Sequence, residues 1–164
     1  MIEKLKASGR LEITLLLITM SLFCFGISVT RYILTDTRVF LFLNWNLFLA
    51  FIPWMISSVI LIRGLNHKTI LAILIASWLL FFPNSPYILT DLFHLRARNS
   101  APIWFDLVVI LSFAWTGLVY GFVSLMDIEK LLKKHISNRL INAMTILFLF
   151  LASFGIYLGR LPAL

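Results

Sequence analysis

Asp91 and His94 stand three residues apart in the run FFPNSPYILTDLFHL, residues 81–95. A carboxylate beside an imidazole suits general acid–base work, and both side chains are metal-ligand types. Asp106 is the next carboxylate along the chain and a candidate third member. The pattern is weak by itself. A D-x-x-H pair is common by chance, and the sequence has neither an H-E-x-x-H zinc motif nor a G-x-S-x-G nucleophile turn. The competing reading of Asp91 and His94 is the solvated polar face of an interfacial helix. No metal centre is therefore predicted, no cofactor is identified, and the residues leave open whether the protein is an enzyme. Cys24 is the single cysteine and lies inside an apolar run, where it reads as a small hydrophobe.

Three amides accompany this pair: Asn44, Asn46 and Asn84. With Tyr87, Asp91, His94, Asp106 and Arg160 they form the candidate polar site. The same residues have a structural role open to them. Two prolines, Pro83 and Pro86, interrupt the chain here, and the amides can satisfy backbone groups freed by the break.

The elements around these residues are set by composition. The chain has 164 residues, 61% hydrophobic and 13% charged. A soluble domain has about 45–50% apolar and about 25% charged residues, so lipid is the better solvent for this one. The net charge of +7 would suggest nucleic acid in a soluble protein. Here no basic patch on a polar fold is visible, so no nucleic-acid partner is expected, and the excess fits basic residues kept on cytoplasmic loops.

Apolar spans fall at about 11–31, 39–62, 68–82, 102–126 and 140–159. About 20 residues cross the hydrocarbon core, and four of the spans are long enough. The third, 68–82, reaches only roughly 22 Å at 1.5 Å per residue. The expected fold is all-α: an integral membrane helix bundle, a single domain over 1–164, with about five transmembrane helices. Ser85 reads as an N-cap before Pro86, opening a short amphipathic helix near 86–96 that carries Tyr87, Asp91, His94 and Arg98 as one stripe. Pro53 is expected to kink the second helix.

With the N-terminus inside, Lys4, Lys6, Arg10, Arg63, Lys68, Lys130, Lys133, Lys134 and Arg139 fall on the cytoplasmic side, against Arg31, Arg38, Arg96, Arg98 and Arg160 outside. That bias favours an N-in, C-out orientation and puts the candidate polar residues on the extracytoplasmic side. The inner charges read as belonging to soluble loops, chiefly 127–139. Ala114, Gly117, Gly121 and Ser124 make a small-residue stripe in the fourth helix, containing G-x-x-x-G. Such stripes let backbones approach closely. The stripe is read as packing within the bundle, with a homo-oligomer or another membrane partner as the alternative.

WNLFLAFIP (45–53), WLLFFPNSPYILTDLFHL (78–95), WFDL (104–107), TGLVYGFVSL (116–125) and GIYLGR (155–160) together resemble the DUF1361 family, uncharacterised prokaryotic multi-pass membrane proteins. The resemblance covers roughly residues 40–160, and its most specific part is the PNxPYxxTDLxHL block. It places Asn46, Pro83, Asn84, Pro86, Tyr87, Asp91, His94, Asp106, Gly159 and Arg160 at motif positions. It implies a prokaryotic plasma-membrane location and no activity. It also implies a continuation after Gly159–Arg160 with an RWNSWD-like stretch and a further hydrophobic segment. This sequence ends at LGRLPAL, as expected of a chain lacking that segment.

Three functions fit these residues: binding or transport of a small molecule or lipid at the outer polar cluster, a membrane-embedded enzyme using Asp91 and His94, or a structural subunit. Interrupted apolar segments often mark transporter sites, but no inverted repeat accompanies this one.

Overall fold

The computed structural model describes residues 9–65, 67–97 and 100–133, together with 137, 139–141, 143, 145–147 and 150. The protein is an all-α helical bundle, and no strand occurs among the described residues. Its helices are α1 (Leu11–Thr35), α2 (Phe42–Arg63), α3 (Lys68–Phe81), α4 (Asn84–Tyr87) and α5 (Ile103–Leu132), with a 3₁₀ helix, Ile88–His94, directly after α4. Among the described residues, four spans are long and apolar enough to cross a membrane: α1, α2, α5 and the composite run Lys68–His94. The protein is a multi-pass membrane protein in a lipid bilayer. Most of the expected fifth span, 140–159, lies outside the described residues, as does Arg160.

α5 is the hub. Half of its most apolar window is buried, against 17% for α1, so α1 stands at the edge of the bundle with most of its surface left to lipid. One apolar cluster joins α1, α2 and α5 through Leu17, Leu43, Leu47, Val109, Ile110 and Phe113. A second joins α2, α3 and α5 through Ile56, Ile60, Trp78, Phe82, Leu125 and Ile128. α5 also runs on past the apolar stretch to Leu132. Hydropathy stops where charges begin, but helical hydrogen bonding does not, and Ile128 and Leu131 still find buried positions.

The third span is built differently from the rest. α3 ends at Phe81, and a tight turn leads into α4, whose N-cap position is Pro83 with no side-chain cap. Ser85 is therefore not the cap that its place before Pro86 suggests. Its hydroxyl donates instead to the Ala50 carbonyl of α2, at 3.2 Å. That carbonyl lies in the helical turn weakened by Pro53, whose missing N–H and bulky ring disturb the bonds just upstream. α2 itself runs unbroken from Phe42 to Arg63.

Beyond Tyr87 the backbone tightens to three residues per turn rather than continuing as the α-helix expected over 86–96. This changes which residues share a face. Ser85, Ile88 and Asp91 are buried, whereas Tyr87 is 38% exposed. The expected stripe of Tyr87, Asp91 and His94 needs α-helical spacing and does not form. The segment is amphipathic in an inverted sense: Leu89 and Phe93 are exposed while Ser85 and Asp91 face the bundle. That inversion suits a lipid solvent.

The small-residue stripe of α5 receives this segment. A Cβ on Gly117 would lie 2.7 Å from Ile88 Cγ2, and one on Gly121 would lie 2.7 Å from Ser85 Cβ. Ser124 accepts the Trp78 indole N–H at 3.2 Å, and Ala114 is buried. The stripe is filled from within the chain, so a second copy docking on it, the alternative open in the sequence, would have to displace Ser85 and Ile88.

Candidate functional site

The buried aspartates organise the polar chemistry. Three lie in the described helices: Asp91, Asp106 and Asp127. Asp106, in the first turn of α5, faces Arg31 near the end of α1. Arg31 Nε donates to Asp106 Oδ1 at 2.8 Å, with Nη2 3.4 Å from Oδ2, and both side chains are essentially inaccessible. Arg31 also donates to Thr37 Oγ1 at 2.8 Å and to the Val39 carbonyl at 3.3 Å. Its guanidinium sits 4.8 Å from the centroid of the Phe40 ring. Phe40 holds this place at φ 73, a left-handed conformation that bulky residues rarely adopt. The surrounding contacts on a buried ring, together with the cation–π contact, offset that strain.

Asp127 lies at the opposite end of α5. Its Oδ1 pairs with Arg10 Nη1, and its Oδ2 accepts the Ser57 hydroxyl at 2.9 Å. Arg10 Nη2 donates to Ser58 Oγ at 2.8 Å. Arg10 and Asp127 thus belong to the interior of the bundle and not to solvated loops, as their flanking sequence suggests. Twenty-one residues separate Arg10 from Arg31, and the same number separate Asp106 from Asp127. Two antiparallel helices carry two ion pairs in one register, about 32 Å apart along the axis at 1.5 Å per residue. The hydrocarbon core is about 30 Å thick, so the spacing of the two pairs matches its thickness. Between them the seam stays polar: Ser21 Oγ meets Tyr120 OH at 2.8 Å, and Cys24 Sγ meets Thr116 Oγ1 at 3.3 Å.

Among the described residues, Asp91 faces no arginine. Asn46 Nδ2 donates to its Oδ2 at 2.8 Å, and no other hydrogen bond to the carboxylate is formed among the described residues. His94, one 3₁₀ turn further on, acts on it electrostatically. The His94 ring packs against Phe42, with centroids 5.5 Å apart. Burying a carboxylate against one neutral amide costs far more than burying it against a guanidinium. Asp91 is only 3% exposed all the same.

The remaining candidates divide among separate contacts. Asn44 donates to Ser28 Oγ at 2.9 Å and to the Leu41 carbonyl at 3.2 Å, tying α1 to α2. Asn84 donates to the Phe81 carbonyl at 2.9 Å, closing the end of α3. Tyr87 points away from Asp91's buried row. No group of three His, Cys, Asp or Glu side chains fit to hold a metal occurs among the described residues. A cavity of about 360 Å³ beside Asn44 runs between α1 and α2, lined by Phe25, Phe48, Phe51 and Tyr120. A larger one, about 550 Å³, lies at the far end of α2 and α3 by Ile60, Gly64, Lys68 and Leu131. Neither is lined by Asp91.

Arg10, Arg31, Asp127, Ser57 and Ser58 were not in the candidate set drawn from the sequence. Their signal was present as the equal three-heptad spacing of two arginines on one span and two aspartates on another. Neither span reveals by itself that it is the other's partner.

No curated protein and no solved structure matches this chain. A family model described as "Protein of unknown function (DUF1361)" matches residues 45–164, which takes in most of α2, the broken third span and α5. The chain belongs to the DUF1361 family.

Proposed function

We propose that this protein binds a small ligand carrying positive charge at Asp91, with Asn46 holding the carboxylate and His94 beside it. The observation that carries the reading is the contrast among the buried aspartates: Asp106 and Asp127 face arginines, and Asp91 faces an amide. Ionisable residues within spanning segments are costly and commonly mark ligand, ion or proton pathways. The third span breaks at Phe82 and Pro83 and tightens to 3₁₀ over Ile88–His94, and such interruptions at membrane depth are tolerated where they are buried in protein or line a cavity. In the N-in, C-out orientation favoured by the basic residues, Asp91 would lie toward the extracytoplasmic side of a prokaryotic plasma membrane. Transport and acid–base catalysis by Asp91 and His94 would both begin with such binding.

The test is thermal unfolding of the protein in nanodiscs with Na⁺, K⁺, Mg²⁺ or ethanolamine. A ligand at about 100 times its Kd stabilises by about 2.7 kcal/mol. One of these is expected to raise Tm in the wild type and to leave Asp91→Asn unmoved. Equal response of both proteins to every member of the set, or none from either, sinks the reading. A scaffold that needs no ligand would then be favoured, because the two Arg–Asp pairs tie α1 to α5 without any chemistry.

A further inference from the structure

Among the described residues, three buried polar atoms have no hydrogen-bond partner in the protein: Arg10 Nε, Thr14 Oγ1 and Trp54 Nε1. They belong to one region. Arg10 donates to Ser58 at one end and Asn44 donates to Ser28 toward the other, so α1 and α2 run antiparallel. Thr14 follows Arg10 by one helical turn, and Trp54 precedes Ser58 by one, so the Arg10–Ser58 contact brings Thr14 and Trp54 to the same level of the bundle. Both lie about 6 Å deeper than the Arg10–Asp127 pair at 1.5 Å per residue. The Trp54 ring is bounded on its other sides by Phe51 and Tyr120, with centroids 5.6 and 5.7 Å away.

Unpaired buried polar groups are costly, and three on adjacent turns of two neighbouring helices form an unusual concentration. We propose that they form an internal hydration site: bound water between α1 and α2, behind the Arg10–Asp127 pair. The chemistry fits water. Arg10 Nε–H and Trp54 Nε1–H donate, and the Thr14 hydroxyl accepts. A water oxygen takes two hydrogen bonds and gives one back, matching the roughly three bonds of a typical buried water. The local charge is balanced, since Asp127 neutralises Arg10, so the site favours a neutral occupant over an ion. Water here also explains how an arginine only 8% exposed is kept at the end of a lipid-facing helix.

Solid-state NMR of the protein in lipid, with magnetisation transferred from water, reads the site directly. Transfer is expected at Arg10 Nε and Trp54 Nε1 at mixing times at which Trp78 Nε1, buried and bonded to Ser124, receives none. Thr14→Val is the thermodynamic companion. If water is bound, removing the hydroxyl strands one of its hydrogen bonds and lowers Tm by about 2–4 °C per kcal/mol lost. If the site is dry, the same change deletes an orphan polar group and leaves Tm unchanged or higher. Absence of transfer at both nitrogens, or a Thr14→Val protein at least as stable as wild type, overturns the hydration site.

Discussion

At the scale of single residues, what matters about a buried charge is its partner. Asp91 and Asp106 are both aspartates near the same end of the bundle by chain connectivity, yet they should respond oppositely to the same substitution. Asp106→Asn leaves the Arg31 guanidinium buried without a counter-charge, and removing one member of a buried pair costs about 3–5 kcal/mol. Asp91→Asn removes a charge that no arginine among the described residues compensates and keeps an oxygen to accept from Asn46. The expected outcome is a clear loss of Tm for Asp106→Asn and little or none for Asp91→Asn, measured by thermal unfolding in detergent. An equal loss in both would mean that Asp91 has a charged partner of its own. The Asp91–His94 pair was legible in the sequence because i, i+3 neighbours stay adjacent in either kind of helix. Tyr87 was misplaced because its membership depended on the α-helical period.

At the scale of elements, the broken third span and the α5 stripe explain each other. A helix interrupted by Pro83 and Pro86 cannot fill the space beside α5 with a regular row of side chains. Gly117 and Gly121 let Ser85 and Ile88 come in close, and Ser85 reaches past to the Pro53-weakened turn of α2. Alanine scanning of glycines tests this. Gly26 of α1 has nothing within 4 Å of a built Cβ, so Gly26→Ala should gain up to about 1 kcal/mol from helix propensity. Gly117→Ala and Gly121→Ala should each lose about 1–3 kcal/mol through overpacking. Ser85→Gly should recover part of the Gly121→Ala loss, since its Cβ is the atom in the way. Chemical unfolding in mixed micelles ranks the four variants. A neutral Gly121→Ala would remove the close approach. Both the break and the stripe were readable as sequence patterns, but nothing in either pattern said that one packs on the other.

At the scale of the whole molecule, two Arg–Asp pairs set one bilayer thickness apart anchor an otherwise lightly packed helix. α1 buries little apolar surface, and lipid supplies no hydrophobic drive for helix association. Its attachment rests on the polar seam that starts at Arg10 and ends at Arg31. Which end faces out is a separate matter. Arg38 is exposed and follows α1 closely, at the Arg31 end. With Cys24 replaced by Ser, an Arg38→Cys protein should react with a membrane-impermeant maleimide from outside intact cells. Reaction only in inverted vesicles would reverse the orientation.

The sequence by itself determined that this chain lives in lipid, that its spans are helices, and where the third one breaks. Those properties depend on composition and on local backbone chemistry, which a linear chain displays in full. Only the tertiary structure decided which charges are matched. Pairing depends on the register of helices far apart in sequence, as with Arg31 and Asp106 or Arg10 and Asp127. That register separated Asp91 from the other buried aspartates. It also brought Thr14 and Trp54 to one level, each one helical turn from the Arg10–Ser58 contact.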